Sequence, residues 1–466
     1  MLSVILAAAL ALSPAPKDMS LAAEASARAY AQVTVTESSN ELAGLTQKNV
    51  VFDGGEFAWF RRFSFKTTRA ADYITAISIP GGSGTVRWYD AGAELWRVRP
   101  LDGALPDSLL FIETDRYYMI LSQPYSYKPF ENASLEDMPR RRITASAKED
   151  GRIELTMRFA QTAGLIGDVW ALQSDSPLIE WTDAAERLWA SYVRVDTQRW
   201  CYDGFYSASP STYTPTSEAM FFRNPAAWLT NAFVRTGGSR ASEALGWAMC
   251  DTLIELQNQQ GFWPTEPRSE WLYDDYGIGA GFYDTRFNND FTYALFDAAR
   301  RYGDARFSDA ALRQADFLIW LAGRRNYEFR GAGGAVGWLV EDYYWPDGDY
   351  GRVHSSLNHQ LQEIKTLLRA YQATRRRRYL DFADRLLRGV KLTRDRWIME
   401  SGSLEYAYMP DGSMGLIDYP FMTYNDLYDV QELLTAIGRP RDPDLQILMD
   451  SKKTWMDKNG VTGYYK

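Results

Sequence analysis

Apolar stripes of helical period recur in pairs from residue 224 onwards, each pair joined by a tight polar turn and followed by a long loop. In ALFDAARRYGDARFSDAALRQADFLIWL, Leu295, Ala298 and Ala299 precede the turn, and Phe307, Ala311, Leu312, Ala315, Leu318 and Ile319 follow it. LNHQLQEIKTLLRAYQATRRRRYLDFADRLLRGV repeats the design, with Leu357, Leu361, Ile364, Leu368 and Tyr371 before the turn and Tyr379, Phe382, Ala383, Leu386 and Val390 after it. These are amphipathic stripes of 3.6-residue period. NPAAWLTNAFVRTGGSRASEALGWAMCDTLIELQ and YNDLYDVQELLTAIGRPRDPDLQILMDSKKTW supply two more pairs, and TDAAERLWASYVRV hints at a fifth. Turns near Gly237, Gly303, Arg375 and Gly438 lie about 65–75 residues apart, so each unit holds two helices and a long loop. One helix pair cannot bury both its apolar faces alone, so neighbours must stack. A closed ring of pairs, an (α/α) toroid, fits that spacing better than an open solenoid with short loops.

Ahead of the helices the pattern has period two. ADYITAISI, GTVRWYDAG, ELWRVRP and RYYMILSQP concentrate β-branched and aromatic residues between Gly, Pro and Asp turns. GRIELTMRF sets Ile153, Leu155, Met157 and Phe159 on one face and polar residues on the other, a half-buried strand. The expected organisation is multidomain α+β: a leader over 1–30, an antiparallel β-rich domain over 31–180, and an (α/α) toroid over 181–466. The leader LSVILAAALALSPAP has the apolar length of a secretory segment but no preceding Lys or Arg. It points to a secreted, periplasmic or lumenal protein without eliminating a cytoplasmic one. No other run reaches the length of a membrane span.

Composition narrows the chemistry. The net charge of -9 disfavours a nucleic-acid partner. With only two histidines, His354 and His359, and two cysteines, Cys201 and Cys250, a His- or Cys-based metal centre is not available, and no cofactor or metal is expected. The histidines are five apart, which is not the spacing of a helical metal pair, and a core or helix-cap role suits each. Asp, Glu, Tyr and Arg are left to carry a reaction. The 29 Tyr and 16 Trp exceed what a core alone requires, and such rings also cover the apolar faces of sugars.

Three inter-helix loops share one theme, carboxylates and tyrosines set among Pro/Gly turns. GFWPTEPRSEWLYDDYGIGAGFYDTRFNND holds Asp274, Asp275, Tyr276, Tyr283, Asp284 and Arg286; GWLVEDYYWPDGDYGRVHSSLNH holds Glu341, Tyr343, Tyr344, Trp345 and Arg352; SGSLEYAYMPDGSMGLIDYPFMTYND holds Glu405, Tyr406, Tyr408, Tyr419 and Tyr424. Loops this long are uncommon in compact domains unless they have a use. In a toroid they would converge on one rim. Asn358 and Gln360 sit near the same rim as potential hydroxyl-binding groups.

In residues 210–457 these features resemble the C-terminal domain of the D-glucuronyl C5-epimerase family, which converts glucuronate to iduronate within heparan-type polymers. Val340-Glu341-Asp342-Tyr343-Tyr344-Trp345-Pro346 precedes the helix opening Leu357-Asn358, as an aromatic, glutamate-containing stretch does in that family. Leu404-Glu405-Tyr406, then Tyr419, Pro420 and Asn425, match a later Tyr-containing segment, although Pro420 and Asn425 stand where the family has histidines. The resemblance implies an acidic polysaccharide substrate and proton abstraction at C5 of a uronate. It implies Glu341, Tyr406, Tyr419 and Tyr344 as catalytic candidates. Arg286, Arg352, Tyr343, Trp345, Asn358, Glu405, Tyr276, Asp284 and Tyr424 are the candidates for substrate binding. A homodimer is compatible with it. The alternatives are a polysaccharide lyase, a glycoside hydrolase or a non-catalytic glycan-binding protein on the same fold.

Overall fold

The computed structural model describes residues 30–194, 198–226 and 228–465, so the leader lies outside the described residues apart from Tyr30. Contacts divide the chain into two units, one of residues 22–224 and 229–253, the other containing 225–228 and 254–466.

The first unit is built on antiparallel sheets. The larger has thirteen strands, with Phe57–Phe65 and Ile166–Ser174 paired near its middle. The smaller sets Tyr73–Pro80, Arg152–Phe159, Thr144–Ala147 and Gly103–Ala104 side by side. Arg152–Phe159 alternates as its sequence requires, burying Ile153, Leu155, Met157 and Phe159. Those side chains meet Trp59, Phe63 and Phe65 from the larger sheet in one apolar core. Strands continue past residue 180, because Gln198–Cys201, Gly204–Ala208 and Met220–Arg223 extend the larger sheet. Helices α1 (Asp183–Arg194), α2 (Trp228–Thr236) and α3 (Arg240–Ile254) accompany them.

The second unit contains α4 (Glu270–Tyr276), α5 (Thr285–Tyr302), α6 (Ala305–Ala322), α7 (Leu357–Thr374), α8 (Arg377–Leu392), α9 (Arg394–Trp397), α10 (Met422–Ala436) and α11 (Pro443–Lys458). Helices α5, α7 and α10 pack side by side, and α6, α8 and α11 each back their preceding partner. This is an arc of three helical hairpins, formed from the segments whose apolar stripes come in pairs. No described helix is long and apolar enough to cross a membrane.

The turns follow local chemistry. Asp304 caps α6, and Asp442 caps α11 with Pro443 at its first position. Helix α7 is buried continuously from Leu357 to Leu368, polar residues included. Its position between α5 and α10, with α8 behind, leaves it no solvent face. Short ladders then draw the three long loops together. Tyr283–Asp284 pairs with Tyr343–Tyr344, and Ser355–Ser356 pairs with Glu405–Tyr408, itself paired with Met414–Ile417. These ladders meet where α5 and α7 begin.

Candidate active site

Asp284 and Ser356 are the residues immediately before α5 and α7, so the first turns of both helices and the strands leading into them share one locality. At its centre is Asp342, fully buried on the loop before α7. One carboxylate oxygen accepts from the Ser356 amide at 2.8 Å, and the other takes the Ser356 hydroxyl. His354 Nε2 lies 3.3 Å and His359 Nδ1 3.6 Å from Asp342 Oδ2. Burial opposes charge on Asp342, but His359, then His354 and Ser356, outweigh it and hold the carboxyl below its ordinary range. Burial pushes the His359 imidazole down to about 4. His359 is therefore a neutral ring at neutral pH, where His354 and the Ser356 donors are what keep Asp342 ionised.

His354 is the hinge of the arrangement. Its Nδ1 is 2.8 Å from Tyr276 Oη at the end of α4, while its Nε2 faces Asp342. With a carboxylate beside Nε2, the favoured tautomer keeps its proton there and lets Nδ1 accept from the Tyr276 phenol. Aromatic rings enclose the imidazole, with Trp271 at 5.7 Å, Tyr343 at 5.7 Å and Tyr406 at 6.3 Å between centroids. Trp271 is 37% exposed. Tyr419 lies 5.9 Å from Tyr406 and is itself 36% exposed. Burial raises the Tyr276, Tyr406 and Tyr419 phenols above their ordinary range, so all three are protonated at neutral pH.

Asp284 differs from Asp342. It is buried at the N-terminus of α5, where one oxygen accepts from the Phe287 amide at 2.9 Å. Burial, with Asp342 adding to it, pushes its carboxyl up to about 7 against the helix-end amides. The neighbouring Arg286 is held by two carboxylates, Asp290 at 3.1 Å and Asp426 at 2.5 Å, and also donates to the Asn358 carbonyl at 3.1 Å. Lys365 closes the far side of Asp426 at 2.9 Å.

Among the residues expected from sequence, Tyr276, Asp284, Tyr343, Tyr406 and Tyr419 gather around the Asp342–His354 pair. Glu341 turns elsewhere. It is fully buried between Arg352 Nε at 2.6 Å and Arg325 Nη2 at 3.1 Å, and it accepts from the Val353 amide. Arg352 additionally lies over the Tyr327 ring. Tyr344 packs with Phe317 and Trp320. Trp345 is a plug: its Nε1 donates to the Ala280 carbonyl at 2.9 Å. A Cβ on Gly279 would lie 2.4 Å from its ring, and one on Gly348 2.5 Å, so both positions need glycine. Asn358 points toward Met422 Sδ, Glu405 lies in a strand paired with Ile417, and Tyr424 packs on Tyr464. Gln360 is occupied by the Val340 amide and the Trp338 carbonyl.

Asp342, His354, Ser356, Thr285 and Trp271 are members of the cluster that sequence reasoning passes over. The available signal was the chain's only two histidines lying within 18 residues of an aspartate in an aromatic-rich loop. Thr285 Oγ1 is 2.8 Å from His359 Nδ1. Among the described residues, no group of three or more His, Cys, Asp or Glu side chains is arranged to hold a metal ion.

Asp284 and His359 set opposing pH slopes on stability. The Asp284 carboxyl moves from 3.8 to about 7 on folding, so within that interval the folded chain holds a proton that the unfolded chain lacks. Its contribution therefore falls as pH rises. His359 moves from 6.5 to about 4, so there the unfolded chain holds the extra proton and stability rises with pH. Each slope is about 1.4 kcal/mol per pH unit, and the two nearly cancel where they overlap. His359→Gln should expose the Asp284 slope, with the urea midpoint falling as pH rises through the overlap. Asp284→Asn, which retains a capping side chain, should show the reverse. Parallel profiles in the two variants would contradict both assignments.

Comparison by sequence finds no matching protein family and no matching curated protein. Comparison by structure gives weak likenesses. A D-mannose isomerase is 16% identical with a TM-score of 0.38, over 51% of this chain and 61% of that one, so this chain spans under two thirds of its length. A family 76 glycoside hydrolase from a bovine Bacteroides thetaiotaomicron strain is 11% identical with a TM-score of 0.38, covering 92% and 77%. A cellobiose 2-epimerase from Bacillus thermoamylovorans is 11% identical with a TM-score of 0.35, covering 51% and 60%. Scores this low carry no argument about the reaction, which has to be read from the side chains.

Proposed function

We propose that the second unit is a sugar epimerase that removes and returns a proton at a carbon beside a carboxylate or carbonyl. The reacting centre in this reading is C5 of a uronate within an acidic polysaccharide, the chemistry implied by the family resemblance. The observation that carries it is the line Tyr276 Oη–His354 Nδ1, 2.8 Å, continued from His354 Nε2 to Asp342, with the phenols of Tyr406 and Tyr419 beside it. As Tyr276 Oη takes the carbon-bound proton, its own proton passes to His354 Nδ1, and Asp342 stabilises the imidazolium. The electron pair left on carbon delocalises into the substrate carboxylate. Tyr419, protonated and more exposed than Tyr406, returns a proton to the opposite face. Arg286 is held by Asp290 and Asp426, so in this mechanism it acts on the developing charge through its field rather than by direct contact.

The fold that accompanies this reading is an (α/α) toroid built on the three hairpins, after a β-rich domain, in a secreted or periplasmic protein. A second reading has one specific observation behind it. Asp284 is pushed up to about 7 beside an ionised Asp342, and a split carboxyl pair can serve as acid and base in glycoside hydrolysis. Incubating uronate polymers with the protein in deuterated water separates the readings. Epimerisation predicts deuterium at C5 without chain cleavage. Unsaturated uronate would replace it with elimination, and new reducing ends with hydrolysis.

A further inference from the structure

A cavity of about 240 Å³ is lined wholly by residues of the β-rich unit. At about 30 Å³ per liquid water it has room for roughly eight waters, on the scale of one pyranose ring rather than a chain. Its walls come from four places in the large sheet. Arg62 stands on the strand Phe57–Phe65, Phe130 and Ser134 flank a turn, Asp203 and Tyr206 belong to the hairpin Gln198–Ala208, and Arg223 ends its strand.

The polar groups are fixed before any ligand arrives. Arg62 Nη2 donates to Tyr127 Oη at 2.6 Å, to Asp168 at 2.7 Å and to Asp203 at 2.7 Å, while its Nε donates to Asp168 at 3.0 Å. Tyr206 Oη donates to the other Asp203 oxygen at 3.2 Å. Asp203 remains 31% exposed despite these bonds, so it has acceptor capacity facing the cavity. Phe130 adds an apolar ring to this polar lining.

We infer that this cavity binds a single uncharged pyranose unit, free or at the end of a glycan. Both signs line it, Arg62 and Arg223 with Asp203 and Glu131, and Arg62 is already paired with Asp168 and Asp203, so neither an anion nor a cation meets a wall of opposite sign. Sugar hydroxyls donate and accept at once, which is what a lining of both donors and acceptors selects. The aromatic ring suits the C–H face of the sugar. None of these residues belongs to the Asp342–His354 cluster, so the inference stands apart from the proposed reaction.

The test is calorimetric titration of the full chain with methyl glucoside, methyl mannoside, methyl galactoside and glucuronate, alongside Phe130→Ala, Asp203→Asn and Tyr276→Phe. At least one neutral glycoside should bind. Phe130→Ala, which leaves the Arg62 network untouched, should weaken it about threefold to tenfold. Asp203→Asn should weaken it at least about tenfold, and Tyr276→Phe should leave it unchanged. The inference is overturned if no neutral glycoside binds, if glucuronate binds more tightly than any of them with an affinity that Asp203→Asn lowers, or if Phe130→Ala binds like the parent. Loss of binding in Tyr276→Phe alone would assign the sugar to the other unit.

Discussion

Tyr276→Phe should slow hydrogen exchange at the reacting carbon by about 10²–10⁴-fold, the range for losing a positioned acid–base group. The phenol is half-buried and hydrogen-bonded to His354 Nδ1, so removing its oxygen leaves the ring packing against Trp271 in place. The cost in stability should stay near about 1 kcal/mol, as for one lost hydrogen bond. Substrate affinity should change little, because a group that moves a proton acts on kcat more than on KM. Asp342→Asn provides the contrasting case. It should also abolish most exchange by removing the charge that stabilises the imidazolium, but it disturbs Ser356 and both histidines and should lower stability as well. The distinguishing result is the Tyr276→Phe enzyme, folded and binding, with its rate lost. Parent-like exchange in that variant would remove Tyr276 from the reaction and leave Asp284 as the leading acid–base group.

The helix hairpins are legible in the sequence because one face of each is apolar at a 3.6-residue period, and the paired helices α5 to α8 fall on those stripes. The half-buried strand Arg152–Phe159 is legible for the same reason at period two. Helix α7 shows where such reading stops. Asn358, His359, Gln362, Glu363 and Lys365 are polar yet buried, because helices on three sides cover the face that periodicity assigns to water. The same limit hides the centre of the site. Glu341 and Asp342 are adjacent in the link between the strands Val336–Val340 and Tyr343–Tyr344, yet their side chains part. Glu341 goes to Arg325 and Arg352, and Asp342 to the histidines. Composition cannot say which of two neighbouring acids faces the site. The short ladders from Tyr283 to Tyr344 and from Ser355 to Tyr408 decide it, and each is too short to leave a sequence pattern.

Lys452→Met should destabilise the protein by about 3–5 kcal/mol at neutral pH, the range for leaving a buried charge without its partner. Lys452 on α11 is fully buried, and its Nζ lies 2.7 Å from Asp418 Oδ2 and 3.1 Å from Ser403 Oγ. Asp418 directly precedes Tyr419, and Ser403 lies just before the strand carrying Tyr406, so one ammonium ties both phenol-bearing segments to the helix behind them. Burial already raises the Asp418 carboxyl even with Lys452 present. Without the lysine its folded value rises further, so the variant's deficit should be greatest above that value and shrink in acid, where Asp418 takes up a proton. Urea unfolding at neutral and acid pH measures this, and the double variant Lys452→Met/Asp418→Asn should recover part of the loss by removing the stranded charge. Exchange at the reacting carbon should fall in the single variant as Tyr419 and Tyr406 lose their shared anchor. An unfolding midpoint that matches the parent at neutral pH would mean that water replaces the ammonium at Asp418, and the tether would then contribute nothing to the placement of either phenol.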